Sequence, residues 1–308
     1  MTDTAVDPFA EARDLAPTEL SRGYTWAECP RWHQGALWFS DMYAHRILRL
    51  DAEGAPHVVV DVSERVPVRG AEAVPGGFGW LPDGRLIFTS MHERLVLAFD
   101  GERIEEYADL RDIATGPVND MVVDADGRAY VTQLGFELFQ GEEPHDSALL
   151  VVEPGGQARA LTELGGFAGA NGIAVSDDGT RVVTAEAFAN RITVLDRDER
   201  GRLSGRRVFA TTPSLPDGIC LDEEGGVWTG MPAAPAVARL VEGGRVTDVV
   251  RFGTGQALPP ACVLGGPDRR TLYIAAGLEV MDWEKSRRER AGTIWTVQAP
   301  AGGGTSRP

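Results

Sequence analysis

The fold that this sequence predicts is a six-bladed β-propeller, a closed ring of four-stranded antiparallel sheets. The first observation is a turn signal that recurs about every 45 residues along the 308-residue chain. The second is that every turn separates two short apolar runs, with no convincing amphipathic helix between the copies. Six such copies are typical of a propeller in which each copy forms one blade. The turns are Gly35, Pro82-Asp83-Gly84, Asp126-Gly127, Asp178-Gly179, Glu224-Gly225 and Pro267-Asp268-Arg269.

Four strands can be followed in most copies. The first is the apolar run that precedes the turn, and the fourth is more polar, as at residues 57–61 and 103–107. The second strand follows the turn, at residues 36–40, 86–90, 129–132, 182–185, 227–230 and 272–275. The third strand begins at Arg46, Arg94, Ala148, Arg191, Val237 and Thr293.

The two ends of the chain predict that the repeats close into a ring. A linear array would need polar capping repeats, but the first and last copies are as apolar as the middle ones. Residues 20–27 exceed the first repeat and are expected to supply the outer strand of the last blade, beside residues 291–298. We therefore expect an N-terminal extension at 1–19, one propeller domain at 20–300 and a Gly-rich flexible tail at 301–308.

Composition excludes several classes of function. The net charge is −16 and no Lys/Arg cluster is present, which argues against nucleic-acid and membrane-surface binding. The densest basic stretch, residues 285–290, contains Glu289 and is expected to be a solvated loop. Cys29, Cys220 and Cys262 are too few for a disulfide framework and indicate free thiols. With no signal-peptide apolar region and no membrane-length span, a cytoplasmic location is expected.

One repeat position is filled by oxygen-donor side chains in four copies. Asn119, Asn171 and Asp217 each lie eight residues before a turn glycine, and Glu28 opens the slightly shorter first copy. Equivalent positions of a closed ring converge on its axis, so these four side chains are predicted to meet there. Two carboxylates and two neutral amides form an all-oxygen set of charge about −2, which suits a hard divalent cation such as calcium.

A simpler interpretation is that these positions are turns. Asn171-Gly172 and Asp217-Gly218 are hairpin dipeptides when taken singly. However, each repeat already has its turn eight residues later, and Glu28-Cys29-Pro30 is a poor hairpin turn at the same place. The shared position therefore favours a metal site.

The second strand of each blade returns to the face of the proposed metal. Its end, together with the long loop at residues 134–147, is expected to surround a pocket with an apolar rim. The expected substrate contacts are Met91, His92, Gln133, Phe136, Glu186 and Met231. Asp120, next to a proposed ligand, is expected to be an outer partner that orients the ligands.

Six motifs carry a resemblance to a known family. They are A-E-C-P at Ala27, L-P-D-G at Leu81, P-V-N-D at Pro117, A-N-G-I at Ala170, L-P-D-G-I at Leu215 and C-V-L-G-G-P-D at Cys262. As a set they resemble the gluconolactonase, senescence marker protein and luciferin-regenerating enzyme-like family of six-bladed propellers, over residues 26–297.

The resemblance implies one divalent metal, calcium or zinc, held by a Glu, two Asn and an Asp. These correspond to Glu28, Asn119, Asn171 and Asp217. It also implies that sugar-lactonase members carry an Arg two residues before the first Asn, a position that Pro117 occupies here.

Together these observations predict a metal-dependent hydrolase that opens a cyclic ester, a small-molecule substrate with an apolar portion. The cation, calcium before zinc, would polarise the carbonyl, and Asp217 would serve as general base or as nucleophile. The sequence contains no G-x-S-x-G and no phosphate-binding loop, which argues against serine-hydrolase and nucleotide chemistry. Two alternatives stay open: phosphotriester or fluorophosphate hydrolysis at the same metal, and a non-catalytic calcium-binding propeller.

Overall fold

The computed structural model describes residues 7–253 and 255–307, in which short strands form six antiparallel sheets. Each sheet has four strands in chain order from the axis outwards, with exceptions only where the chain ends join the ring. The innermost strand of every sheet contacts the innermost strands on both sides, from the first sheet round to the sixth and back. The predicted six-bladed propeller is therefore confirmed.

The first half of the chain begins with two strands that join later blades, β1 (Arg13–Asp14) and β2 (Thr18–Tyr24). Blade 1 contains β3 (Ala27–His33), β4 (Ala36–Asp41), β5 (Arg46–Leu50) and β6 (Pro56–Asp61). Blade 2 contains β7 (Pro75–Trp80), β8 (Leu86–Ser90), β9 (Leu95–Phe99) and β10 (Ile104–Asp109). Blade 3 contains β11 (Val118–Val123), β12 (Ala129–Gln133), β13 (Leu150–Val152) and β14 (Ala158–Ala160).

The second half repeats the pattern. Blade 4 contains β15 (Ala170–Val175), β16 (Arg181–Glu186), β17 (Arg191–Arg197) and β18 (Leu203–Thr211). Blade 5 contains β19 (Ile219–Leu221), β20 (Val227–Met231), β21 (Ala236–Leu240) and β22 (Val246–Arg251). Blade 6 contains β23 (Leu258–Gly265), β24 (Thr271–Gly277) and β25 (Gly292–Gln298).

The fourth strand of blade 6 comes from the other end of the chain. Strand β2 pairs antiparallel with β25, with Thr18 opposite Thr296 and Tyr24 opposite Gly292. Backbone hydrogen bonds thus join the first strands to the last blade, and the predicted ring closure is confirmed. Residues 7–14 of the expected N-terminal extension pack on blade 5, where β1 adds a parallel fifth strand beside β22.

The tail that the sequence predicts to be flexible is instead packed in the structure. The backbone of Arg307 pairs with that of Val175, and the Ser306 hydroxyl donates to the Leu221 carbonyl at 3.1 Å. Gly304, at φ 49°, passes so close to Asp177 that a Cβ would collide with its carboxylate. The glycines that suggest disorder by composition are therefore what lets this segment lie against blades 4 and 5.

Helical segments are short and lie between strands. The single-turn 3₁₀ helices are Met42–Ala44, Leu138–Gln140, Thr162–Leu164 and Ala187–Ala189. The stretch predicted to be a loop at 285–290 belongs largely to an α-helix, α1 (Trp283–Glu289), between β24 and β25. The Asp282 side chain caps it by accepting from the Lys285 backbone N–H, and Arg287 and Arg288 occupy its last turn. None of the helices in the described residues has the length and apolar character that a membrane span requires.

The hydrophobic core lies between neighbouring blades. Inward and outward side chains alternate along each strand, so both faces of a blade pack against the next sheet. Between blades 2 and 3, for example, the side chains of Ile87, Val96, Met121 and Val131 form one buried cluster. The ring is therefore held by apolar packing between sheets, and the axial channel remains for polar side chains.

Candidate active site

The four oxygen-donor residues occupy equivalent places at the starts of the innermost strands. In blade 1, Glu28 lies opposite Ser40 of the second strand. In blades 3 and 4 the pairs Val118–Gln133 and Ala170–Glu186 place the next residues, Asn119 and Asn171, at the same distance along the channel axis as Glu28. Asp217 reaches this level through a hydrogen bond from its backbone N–H to the Gly230 carbonyl, at 2.9 Å. By the same strand pairing, blades 2 and 6 carry Gly76 and Pro259 there, and neither has a side-chain oxygen.

A β-bulge follows this position in the inner strands. The pairing register shifts between Glu28 and Arg31, between Val118 and Met121, and between Ala170 and Ile173. In blade 1 the residue after Glu28, Cys29, adopts a positive φ of 50°. Because a bulge redirects the side chains beside it, the repeat turns one polar side chain per blade towards the axis.

The side chains of Glu28, Asn119, Asn171 and Asp217 line one cavity of about 210 Å³ at this end of the channel. Asn119 donates from Nδ2 to Oδ1 of Asn171 at 2.8 Å. Glu28 and Asn119 are buried, whereas Asn171 and Asp217 are partly exposed to the cavity. The structure thus brings together all four residues that the sequence proposes as metal ligands.

The two carboxylates of this group carry no compensating positive charge. Glu28 accepts hydrogen bonds from the Cys29 backbone N–H at 3.1 Å and from Trp26 Nε1 at 3.3 Å. Among the described residues no Lys, Arg or His forms an ion pair with Glu28 or with Asp217. Burial, and then the charge of Asp217, raises the pKa of Glu28 well above its usual value. Burial and the charge of Asp120 raise the pKa of Asp217 to about 7.

Asp120, which the sequence predicts to be an outer partner of the ligands, forms an ion pair with Arg31 of blade 1. Its Oδ1 pairs with Arg31 Nη2 at 2.5 Å and accepts from the Met121 backbone N–H at 2.8 Å. Arg31 also donates to the carbonyls of Pro30 and Phe78, which fixes it inside the channel. Asp120 therefore acts on the site through its charge, and the described residues show no hydrogen bond from it to any of the four donors.

The donor set fits a hard divalent cation. Among the described residues no three His, Cys, Asp or Glu side chains cluster in a metal-binding arrangement, so the amide oxygens of Asn119 and Asn171 are needed to complete a ligand set. Two neighbouring carboxylates that repel each other and have no counter-charge are stabilised by a shared cation. Carboxylate and amide oxygens without thiolate or imidazole ligands favour calcium over softer metals.

The rest of the cavity wall is apolar. No Lys, Arg or His of the described part of the chain lines it. The Tyr43 hydroxyl donates to the Val280 carbonyl at 2.7 Å, so it is the aromatic ring of Tyr43 that forms part of the apolar wall. The apolar lining consists of Trp26, Met42, Tyr43, Met91, Leu134, Leu138, Phe139, Ala187, Phe188, Leu215, Pro232, Val280 and Met281.

Of the six expected substrate contacts, only Met91 lines this cavity. Gln133 is fully buried, accepting from the backbone N–H of Thr115 at 2.8 Å and donating to the Ala148 carbonyl at 2.8 Å. Glu186 is also fully buried and forms ion pairs with Arg191 at 2.6 Å and Arg206 at 3.0 Å. These two expectations are corrected: both side chains turn away from the axis to hold neighbouring loops.

The remaining three expected contacts lie behind the cavity wall. Met231 packs in the core between blades 4 and 5. Phe136 is fully buried, 5.2 Å from the ring of Phe188, which does line the cavity. His92 packs between Phe139 and Trp283 and lines a separate surface cavity, and burial lowers its pKa. These residues support the lining without reaching the cavity.

Sequence reasoning missed the side chains that do form the rim. Tyr43 and Phe188 each come two residues after a strand-end position, in the 3₁₀ turns at Met42–Ala44 and Ala187–Ala189. Each turn bends the chain back over the cavity, so the second residue after the strand end faces the site. An aromatic residue at this offset in two repeats is the signal that could have found them. Val280 and Met281 lie in the connection before α1, which the repeat does not predict.

Comparisons with known proteins agree with this architecture. The family model described as SMP-30/Gluconolactonase/LRE-like region matches residues 26–277. Regucalcin from Xenopus laevis is 24% identical over 288 residues, covering 90% of this chain and 92% of that protein. A pentonolactonase from Haloferax volcanii is 27% identical over 290 residues, covering 90% and 91%. The solved structure of a calcium-binding protein, regucalcin, from Agrobacterium tumefaciens superposes with a TM-score of 0.74 at 18% identity, covering 95% of this chain and 98% of that one.

We predict that Glu186→Gln lowers the free energy of unfolding by about 3 kcal/mol, because it leaves Arg191 and Arg206 without their buried counter-charge. Urea denaturation measures the loss. The control Glu163→Gln removes a carboxylate from an exposed pair with Arg159 and should cost about 0–1 kcal/mol. Equal losses in the two variants would contradict the structural role of Glu186.

Proposed function

The chain belongs to the SMP-30/gluconolactonase/LRE-like family, and from that membership we propose that it is a lactonase-type hydrolase that works with a divalent cation. The observation that carries the proposal is the convergence of four oxygen donors, two of them unneutralised carboxylates, at the base of an apolar cavity. A relative named as a pentonolactonase, which matches this chain over nine-tenths of its length, supports the reaction class.

Glu28, Asn119, Asn171 and Asp217 would hold the cation, with calcium expected before zinc from the ligand type. Such a cation supplies Lewis acidity, which polarises the ester carbonyl and stabilises the negative charge that develops on its oxygen. Glu28 contributes charge to the ligand set. Asn119 and Asn171 contribute oxygen atoms without charge, so the ligand set leaves the cation electrophilic.

Asp217 would act as the general base or as the nucleophile in ester hydrolysis. Its carboxylate either takes a proton from the water that attacks the carbonyl carbon, or attacks that carbon itself to form an anhydride that water then cleaves. In both routes the bond from the carbonyl carbon to the ring oxygen breaks, and that oxygen is protonated and becomes the hydroxyl of the opened chain. The Asn119–Asn171 hydrogen bond at 2.8 Å fixes one side of the group, and the neighbouring Asn171 amide favours the charged form of Asp217 by lowering its pKa. Asp120, whose carboxylate pairs with Arg31, still contributes to the raised pKa of Asp217.

The cavity wall argues for a lactone with an apolar portion. Its polar side chains are the four donors, and the hydroxyl of Tyr43 is already bound to a carbonyl. Pro117 occupies the place where the family resemblance puts a sugar-binding Arg, and its carbonyl accepts from the Leu134 backbone N–H. Leu138, Phe139 and Met281 would instead contact an alkyl or aromatic substituent and exclude water from the reacting ester.

Non-catalytic calcium binding is the second candidate function, favoured by the structural neighbour whose description is a calcium-binding protein. Both candidates use the same four donors. They differ in whether the protein hydrolyses a lactone in a reaction that requires Asp217, so the kinetic predictions below separate them, whereas the calcium prediction tests the site that both share. Phosphotriester hydrolysis on the same site is tested by adding a phosphotriester to the substrate panel.

We predict that calcium raises the melting temperature of chelator-treated protein. At about 100 times the Kd the cation adds about 2.7 kcal/mol of stability, which corresponds to roughly 4 °C for a chain of this size. Glu28→Gln should lose most of this shift because one ligand charge is removed. The control Glu102→Gln, on the exposed outer face of blade 2, should keep it. Elemental analysis of protein purified without chelator should find one divalent cation per chain, and its absence would refute the site.

We predict that Asp217→Asn retains the fold and much of the bound metal but lowers kcat for lactone hydrolysis by about 10²-fold or more, because it removes the reacting carboxylate. The same isosteric change at exposed Asp112 should leave kcat unchanged. Steady-state kinetics with circular dichroism and metal analysis measure these outcomes. Near-normal turnover in Asp217→Asn would restrict Asp217 to a ligand role.

We predict that kcat/KM is higher for an alkyl- or aryl-substituted lactone than for gluconolactone of the same ring size. The reason is the apolar wall, and Phe139→Ser should reduce the preference by exchanging an apolar contact for a hydroxyl. A tenfold preference of the wild type for gluconolactone, about 1.4 kcal/mol of differential transition-state binding, would reverse this substrate assignment.

A further inference from the structure

The opposite end of the channel holds a second and larger cavity, of about 610 Å³. Its walls are the far ends of the inner strands in blades 1, 2, 3 and 6, together with tail residues 304–307. None of the four proposed metal ligands lines it. The cavity is therefore separate from the candidate active site, with Arg31 and Asp120 in the channel between them.

One side of this cavity is aromatic. The ring of His33 stacks on Trp80 with centroids 3.6 Å apart and an angle of 11° between the planes. Trp32 stacks on Tyr273 with centroids 5.3 Å apart and an angle of 18°. Trp32, His33 and Trp80 all line the cavity and are partly exposed, so they offer flat apolar surface to a planar ligand.

The charged residues of the cavity leave a positive excess. Arg31 is neutralised by Asp120, and Asp124 is neutralised by Arg197 at 2.5 Å. Arg269 and Arg307 also line the cavity, and no carboxylate of a described residue lies within ion-pair distance of either. This local positive charge occurs in a chain whose net charge is −16.

Arg269 is poorly satisfied where it stands. Its Nε is buried without a hydrogen-bond partner among the described residues, and Nη2 makes only a long contact of 3.5 Å to the Gly303 carbonyl. Burial lowers the pKa of Arg269, and the charge of Asp177 opposes this effect only in part. A partly buried guanidinium of this kind is stabilised by an anion that can accept from it.

The backbone position of Arg269 is one that favours glycine. It has φ 58° and donates from its backbone N–H to the Gly266 carbonyl, as the turn glycines of blades 2 to 5 donate to the residue three before them. Those blades have Gly84, Gly127, Gly179 and Gly225 at this place, all with positive φ. Blade 6 instead carries an arginine in a conformation that disfavours any side chain, and this places a guanidinium at the cavity.

We propose that this cavity binds a small planar aromatic anion, with its ring against Trp32 and Trp80 and its anionic group at Arg269 and Arg307. The shared chemistry is an aromatic ring that carries a carboxylate or phosphate. An aromatic carboxylate and a mononucleotide both provide it, and the volume of about 610 Å³ admits either. The site is independent of lactone hydrolysis.

The test is isothermal titration calorimetry of the full chain with 1-naphthoate, adenosine 5′-monophosphate and the neutral analogue 1-naphthamide. At least one of the two anions should bind saturably, with 1-naphthamide at least about tenfold weaker than 1-naphthoate where the latter binds. Arg269→Gly should lower the affinity by at least about tenfold without lowering the melting temperature, because glycine suits the turn. Arg307→Gln should also weaken binding. Arg103→Gln, an exposed arginine on blade 2, serves as the matched control and should not.

Binding of only one of the two anions supports the site and identifies the source of the ligand. Absence of saturable binding for both would overturn the proposal. So would wild-type affinity in both Arg269→Gly and Arg307→Gln, or loss of binding in Asp217→Asn, since that would place the ligand in the active-site cavity. Retained binding in Asp217→Asn also keeps this result separate from the outcome for lactone hydrolysis.

Discussion

The pairing of β2 with β25 is the interaction on which the rest of this structure depends. It joins a strand from the start of the chain to the last blade and converts six similar sheets into a closed ring. The innermost strands of neighbouring blades contact one another round the ring, and an open array would leave the first and last blades apart. Only in the closed ring do blades 1, 3, 4 and 5 bring Glu28, Asn119, Asn171 and Asp217 into one cavity.

The ring is symmetric in backbone but not in chemistry. Two of the six axial positions carry Gly76 and Pro259, so the oxygen donors are confined to four blades. Below them the Arg31–Asp120 pair balances its own charge, which leaves the negative excess at the upper end. At the lower end Arg269 leaves a positive excess beside aromatic rings. The two ends of the channel therefore carry local charge of opposite sign.

The sequence was sufficient for those features that the repeat determines. Strand order, ring closure and the convergence of four donors follow from register, because equivalent residues of a repeat take equivalent places. The expected contacts at Gln133 and Glu186 failed because register does not show which way a strand-end side chain turns, and a nearby arginine or backbone N–H decided it. Helix α1 and the packed tail lie outside the repeat, and their Gly-rich or charged composition resembles that of solvated segments.

The donor residues and the residues of the cavity rim come from different parts of the fold. The donors that would perform the chemistry come from the repeat, whereas the cavity rim comes from turns and insertions that differ between blades. Tyr43 and Phe188 lie on 3₁₀ turns, Leu138 and Phe139 on the long loop of blade 3, and Val280 and Met281 before α1. Such segments can change in length and composition without disturbing the strand pairing that holds the donors. The same four side chains could therefore serve different substrates, and the apolar rim of this chain is the basis of the substrate preference that we propose.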